Sequence, residues 1–293
     1  MQKTSVTSQL DQAKHRYESG LGTITEISQA EAALQDLVSN QLVWNNSLET
    51  AKRTLEKSTG IYPEEFDVLD FDKFSKRNFK IGKLEEWLTL GNENSPVVKK
   101  AQKELDIAEA ELSRTYSGNL PTLDLVMSQS KTESDTSVTI GSKFDTSAMG
   151  LQLNIPLFSG GYIMSKAEQA IAQRDEMFEK LKEANRNVEL NIRRYFNEVN
   201  SNLAKIESLK AAKNSHKEVL VGMKKGYLAG NNSNTDVLNA LSKFYLAQRD
   251  LTKEHYMLIH SAINLKQSVG ILNEPDIQVL NADLTPRTSF VVN

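Results

Sequence analysis

Gly226-Tyr227-Leu228-Ala229-Gly230 repeats, at an offset of 210 residues, the pattern of Arg16-Tyr17-Glu18-Ser19-Gly20. The offset holds without a gap as far as a second shared pattern, Ser58-x-Gly60-Ile61 and Ser268-x-Gly270-Ile271. Matching positions between the two copies include Tyr17 with Tyr227, Gly20 with Gly230, Glu26 with Asp236, Ala30 with Ala240, Leu48 with Leu258, and Leu55 with Leu265. This duplication predicts two similar structural units placed about a pseudo-symmetry axis.

The composition of the chain excludes several classes of function. Its 35 Lys and Arg against 38 Asp and Glu give a net charge of −3, which is not the basic excess of a nucleic-acid-binding protein. The absence of cysteine excludes disulfides, thiolate metal ligands and a cysteine nucleophile. We find no Ser-His-Asp arrangement, glycine-rich phosphate loop or paired-carboxylate cleft, and therefore expect neither an enzyme nor a cofactor.

Most of the chain has the pattern of long helices. Residues 22–59 predict a helix that Gly60 ends, and Ser95-Pro96 predicts the start of another that runs to about Tyr116. Residues 162–228 predict one continuous helix, on the order of 100 Å long at 1.5 Å per residue. A turn at 229–234 and a further helix follow, with coiled-coil spacing of the apolar positions in both helices. These positions are Val188, Ile192, Tyr195, Val199, Leu203 and Ile206, then Leu241, Phe244, Gln248, Leu251, His255, Leu258, Ala262, Leu265 and Val269.

Between these helices the apolar period changes to two, which predicts two strands joined by a polar loop over residues 128–148. The alternating apolar residues are Leu123, Leu125, Met127, Met149, Leu151, Leu153, Ile155 and Leu157. Each predicted strand has about nine residues, which fits the ~9–11 of a tilted membrane-spanning strand. A hairpin with one apolar face packed on a soluble core is the alternative at this point. No stretch approaches the ~18 apolar residues of a membrane helix.

The motifs in order resemble the TolC family of outer-membrane channel-tunnels over nearly the whole chain. Pro121-Thr122-Leu123-Asp124-Leu125 begins a strand, and Pro156-Leu157-Phe158-Ser159-Gly160-Gly161 ends one and leads into the long helix. The two Tyr-x-x-Gly turns, each followed by an acid, and Gly270-Ile271-Leu272-Asn273-Glu274 complete the set. The resemblance implies a homotrimer with a shared outer-membrane β-barrel and a periplasmic α-barrel. It also implies passive export, in drug efflux and type I secretion, from an inner-membrane pump through a periplasmic adaptor.

On this plan the fold class is mainly α with a small β part, combining antiparallel coiled-coil hairpins with a two-stranded transmembrane β-hairpin. We expect six parts: the end of the first helical hairpin (1–60), an irregular equatorial segment (61–94), a helix (95–119), the β-hairpin (120–158), the second helical hairpin (159–272) and an equatorial tail (273–293). Compared with the family's plan, the chain begins near the first turn, and we expect the family's first helix, first strand pair and signal peptide to be missing from this sequence. The alternatives are a soluble coiled-coil interaction protein and a non-functional fragment of the channel.

The resemblance also implies a pore gate at the periplasmic turns. Asp236 would point into the pore, where three copies about the axis repel one another and attract cations. Glu26, its repeat equivalent, and Tyr227 would tether the two turns, although acids at a helix start also complement the helix dipole. The family has an arginine where this chain has Asn232 and a second acid where it has Asn239, which predicts a weaker lock.

The turns themselves are candidate contacts for the adaptor. They comprise Gly20, Leu21 and Gly22 in the first repeat and Gly230 and Asn231 in the second. Ordinary glycine turn chemistry also accounts for the glycines.

Overall fold

A computed structural model describes residues 1–71, 81–136 and 139–285 of the chain. They divide into two compact units, Met1–Thr89 with Asn191–Asn293 and Leu90–Leu190. The predicted segments 61–94 and 273–293 lie partly outside the described residues.

The first unit begins with a helical hairpin, as the sequence predicted. Helix α1 spans Gln2–Glu18 and helix α2 spans Ile24–Thr59. Gly60 ends α2 in the left-handed conformation, with a φ of +75°, and its amide donates to the Glu56 carbonyl. A glycine adopts this conformation without a Cβ clash, which is why the helix ends there.

The second helical hairpin confirms the coiled-coil pattern. After strand β1 (Val68–Leu69), helices α3 (Leu84–Asn94) and α4 (Pro96–Ser117), and strands β2 (Thr122–Thr136) and β3 (Thr139–Asn154), come helices α5 (Tyr162–Leu228) and α6 (Asn234–Val269). The seam between residues 191–228 of α5 and helix α6 is built from the predicted positions, because they recur every three or four residues. Its buried members include Ile192, Val199, Ile206, Leu251, Leu258, Ala262 and Leu265.

The segment predicted to be irregular contains helix α3, so that prediction is wrong over Leu84–Asn94. Leu84, Trp87 and Leu88 have helical spacing, but aromatic residues without regular spacing, such as Tyr62 and Phe66, precede them and obscured the pattern. The tail likewise forms helix α7 (Glu274–Ala282) and strand β4 (Leu284–Thr285). Strand β4 pairs antiparallel with β1, so the tail lies beside the segment that follows the first helical hairpin.

In the second unit, α4 lies beside the start of α5. Ser95 occupies the N-cap position and Pro96 the first turn of α4, as predicted, although the Ser95 side chain makes no capping hydrogen bond. Residues of both helices line a groove of about 380 Å³, among them Ile107, Ala108 and Ala170.

The strand pair of the second unit is confirmed, but its length is not. Strands β2 and β3 have 15 and 16 residues, so most of the predicted polar loop is strand. Opposite charges pair across this distal part, Lys131 with Asp145 at 3.4 Å and Lys143 with Glu133. Cross-strand ion pairs of this kind stabilise two strands even where neither face of the sheet is buried. Strands of this type have no alternation of apolar residues, so the sequence pattern did not indicate them. Strand β3 also ends at Asn154, because Pro156 has no amide to donate.

The predicted apolar row forms one face of the hairpin. Leu123 lies opposite Leu153, Leu125 opposite Leu151, and Met127 opposite Met149, and directly opposed residues share a face. All six side chains are exposed, as are Ile155 and Leu157 beyond the end of β3. Among the described residues, no helix combines the length and the apolar character needed to cross a membrane.

Candidate functional site at the helical tips

The two helical turns, called tips from here on, have the same backbone path. The φ angle is +74° at Gly20 and +80° at Gly230, where a side chain would be strained. In each tip the amide after this glycine donates to the carbonyl oxygen five residues earlier, at 2.8 Å. A Cβ at Gly22 would lie 3.0 Å from the Tyr17 nitrogen, so the first tip also needs its second glycine.

Each tip leads into a capped helix. The Glu26 amide donates to the Thr23 hydroxyl at 3.4 Å, and the Asp236 amide donates to the Ser233 hydroxyl at 3.2 Å. The Asp236 carboxylate in turn accepts from the Ser233 hydroxyl at 2.7 Å and from its amide at 2.9 Å. The hydroxyl, followed by the amide, lowers the pKa of Asp236 below its ordinary value. Asp236 therefore fits the role of a helix-capping acid, which the sequence left open.

Tyr227 joins the second tip to the first. Its side chain is 1% exposed, and its hydroxyl donates to Glu26 Oε2 at 3.1 Å. The Arg16 guanidinium lies 4.7 Å from the ring centre, and Arg16 Nη1 donates to the Tyr227 carbonyl at 3.4 Å. Burial, followed by the bond to Glu26, raises the pKa of Tyr227 to about 12. The tyrosine therefore stays protonated and can donate to the carboxylate throughout the physiological range.

Asn234 is a second connection that sequence reasoning missed. Its side chain is fully buried, its Nδ2 donates to the Glu26 carbonyl at 2.8 Å, and its Oδ1 accepts from Gln9 Nε2 at 2.8 Å. Thr235 adds a third connection by donating to Gln29 Oε1 at 2.6 Å. One feature of the sequence could have pointed to Asn234. The first repeat has the apolar residue Ile24 at the position where the second repeat has this asparagine.

An apolar cluster lies with these polar contacts. It joins Val6 of α1 to the end of α5 and the start of α6, and consists of Val6, Leu220, Tyr227, Val237, Ala240 and Leu241. Because the cluster excludes water from the Tyr227 ring, the bond to Glu26 is stronger than one in solvent.

The structure brings together only part of the predicted gate. Tyr227 and Glu26 are bonded, whereas the partner of the Asp236 carboxylate is Ser233 of its own tip. The Asn232 side chain folds back toward α5, with its Nδ2 3.4 Å from the Met223 carbonyl. Asn239 is exposed. Of the predicted adaptor contacts, Gly20, Leu21, Gly230 and Asn231 are exposed and Gly22 is partly buried.

Two repeat-related helical hairpins, with a strand hairpin between them in the sequence, are the fold of solved outer-membrane channels. Among them, CmeC of Campylobacter jejuni gives a TM-score of 0.72 at 15% identity, covering 97% of this chain and 63% of that one. VceC of Vibrio cholerae gives 0.71 at 17% identity, covering 92% and 64%.

The chain belongs to the outer membrane efflux protein family, whose profile matches residues 87–271. Outer membrane protein TolC of Escherichia coli (strain K12) is 30% identical over 298 residues, which cover 98% of this chain and 60% of the relative. The protease secretion protein PrtF of Dickeya chrysanthemi is 27% identical, with 96% and 61% covered. The family resemblance drawn from the motifs is thereby confirmed, and the chain spans about three fifths of the length of these relatives.

Proposed function

We propose that the chain acts as part of an outer-membrane channel for efflux and type I secretion. Three copies assemble, the β-hairpins lie in outer-membrane lipid, and the helical hairpins extend into the periplasm. The channel is a passive conduit and not an enzyme. It receives its cargo from an inner-membrane pump through a periplasmic adaptor. Family membership and the shared fold support this proposal.

The apolar row on the β-hairpin carries the membrane part of the proposal. Six large apolar side chains cover one face over three successive cross-strand pairs, and all of them are exposed. A row of this kind meets hydrocarbon favourably, whereas in water it is an aggregation hazard. Gln152 and Asn154 alternate with it and would face the aqueous interior.

The test is membrane recovery of the chain and of two variants. Leu153→Asp places a charge in the apolar row, whereas Asn154→Asp places the same charge on the opposite face of the same strand. We expect the parent chain and Asn154→Asp to remain with outer membranes after urea or carbonate extraction, and Leu153→Asp to be lost. If all three were extracted freely, the chain would be a soluble coiled-coil protein.

The tips form the gate in this proposal. Asp236 supplies the ring of three negative charges, and its lowered pKa supports a charged state at neutral pH. Tyr227 and Glu26 hold the second tip against the first, and the hydrogen bond between their side chains supports this role. Asn232 and Asn239 give this gate one fewer cation and one fewer anion than the family pattern. The gate and the contact that tethers the two tips therefore contain fewer charged side chains in this chain than in the family pattern.

The outermost residues of the tips are the proposed contacts of the adaptor. Leu21 presents its side chain to solvent between two glycines, Gly20 and Gly22, and Gly230 with Asn231 occupies the equivalent place. Exposed, rigid turns of similar shape suit a partner that meshes with both repeats.

A further inference from the structure

Within the chain, three hydrogen bonds between side chains join residues 227–235 of the second repeat to the first repeat, and a fourth, between Ser5 and Tyr245, lies farther along the helices. The three join Tyr227 to Glu26, Asn234 to Gln9, and Thr235 to Gln29. In each contact the residue named first belongs to the second repeat and the other to the first. We call the side of a repeat that carries the tyrosine its donor face and the side that carries the acid its acceptor face, after the Tyr227–Glu26 bond; in the Asn234 contact it is Gln9 Nε2 that donates. The contact in the chain thus joins the donor face of the second repeat to the acceptor face of the first.

Moving each residue of these three contacts to its equivalent in the other repeat, 210 residues away, defines three further residue pairs. These pairs are Tyr17 with Asp236, Ile24 with Val219, and Thr25 with Asn239. Each converted pair is chemically matched: a phenol with a carboxylate, two branched aliphatic side chains, and a hydroxyl with an amide. The middle pair is the most telling, because two buried amides have been replaced together by two apolar residues.

All six of these residues are accessible in the chain. Tyr17 is 48% exposed although its equivalent Tyr227 is buried, and Ile24 and Val219 are 58% and 47% exposed. Thr25, Asp236 and Asn239 are exposed as well. The donor face of the first repeat and the acceptor face of the second are therefore open, while their equivalents are closed.

A donor face that binds an acceptor face on a second copy makes a head-to-tail contact, and such contacts close into rings when the rotation permits. We propose that Tyr17 donates a hydrogen bond to the partner's Asp236, with Ile24 packed on the partner's Val219 and Thr25 bonded to the partner's Asn239. The inference rests on the proposed trimer and supplies the residues of its tip interface. Ser233 holds Oδ2 of Asp236, which leaves Oδ1 for the tyrosine.

Cysteine pairs give a direct test, since the chain has no cysteine of its own. The test variant carries Thr25→Cys with Asn239→Cys, and the matched control carries Gln29→Cys with Thr235→Cys. These positions are repeat equivalents and none of them is buried, so the four substitutions should leave the fold intact. Each variant is purified in detergent, treated with a short thiol-to-thiol cross-linker and separated on a denaturing gel.

We expect covalent dimers and trimers from the test variant and only a monomer band from the control, whose cysteines are joined within one chain. A mixture of the two single-cysteine test chains should stop at dimers, and neither alone should cross-link. A trimer by light scattering without cross-linking would overturn this interface and leave the proposed assembly standing. Absence of any trimer in detergent would overturn both.

A second measurement addresses the Tyr17–Asp236 bond itself. Tyr17→Phe and Asp236→Asn should each weaken trimer association about tenfold per contact, which corresponds to about 1.4 kcal/mol. The double variant should be no weaker than Asp236→Asn alone, because both substitutions remove the same hydrogen bond and Asp236→Asn also alters the Ser233 cap. Fully additive effects would contradict the pairing.

Discussion

Replacing Tyr227 with phenylalanine removes one hydroxyl from the contact between the tips and leaves the ring in place. That hydroxyl donates to Glu26 at 3.1 Å from a side chain that is almost fully buried. Hydrogen bonds to charged groups contribute about 1.5–3 kcal/mol, and because Glu26 is partly exposed we expect about 1.5 kcal/mol here. The variant should therefore unfold more easily at neutral pH by that amount.

The pH dependence of this difference is a sharper prediction. The pKa of Tyr227 is raised from 10.0 to about 12, so its neutral form stabilises the fold fully below pH 10. That contribution is lost between pH 10 and 12, and amounts in total to about 2.7 kcal/mol. The phenylalanine variant has no such loss. The advantage of the parent chain should therefore shrink from about 1.5 kcal/mol at pH 7 to about zero near pH 11, and then reverse.

Tryptophan fluorescence during urea unfolding measures the difference in unfolding free energy between the parent chain and Tyr227→Phe, and it reports on the structural unit that contains the tips. Both tryptophans, Trp44 and Trp87, lie in the unit that contains the tips. Tyr256→Phe is the control, because that tyrosine is half exposed in the same unit and should change stability little at any pH. A difference between Tyr227→Phe and the parent that stays constant from pH 7 to pH 11 would refute the argument.

Two further predictions concern the asparagines of the second tip. Asn234→Ala should lower the unfolding free energy by about 2–4 kcal/mol, since it leaves the buried Gln9 amide and the Glu26 carbonyl unsatisfied; urea unfolding should show no comparable loss for the exposed Asn231→Ala. Asn232→Arg restores a cation to the tip and should lower the conductance of the protein in planar lipid bilayers. Unchanged or higher conductance would contradict the weaker-lock hypothesis, and Asn232→Gln controls for side-chain length.

Sequence reasoning located the helices because their boundaries carry local signals. Gly60 and Gly270 end α2 and α6 in the left-handed conformation, and both helices begin within two residues of the predicted positions. The β-hairpin was placed correctly but made too short. Its distal part buries no apolar face, and charge pairs such as Lys131 with Asp145 become visible only when the strand register is known.

The sequence predicted only those site residues that the equivalence between the two repeats pointed to. Equivalence of positions indicated Tyr227 and Glu26 as tip residues, and the structure joins them. It could not indicate that the equivalent acids would differ, with Glu26 bonded to Tyr227 and Asp236 bonded within its own cap. Nor could it indicate Asn234, because a buried amide is favourable only where two other elements supply its partners.

The observed contact between repeats and the proposed contact between copies differ because they are held together differently. The contact between repeats in one chain is tethered, so it need not offset the entropy lost when separate molecules associate. Hydrogen-bonded polar groups such as Asn234 and Gln9 can therefore form its centre and fix its geometry. The contact between copies must offset that loss itself, and burial of apolar surface is the main favourable contribution to the association of separate proteins. Ile24 and Val219, which occupy the centre of the proposed contact between copies, are apolar residues that can supply this burial.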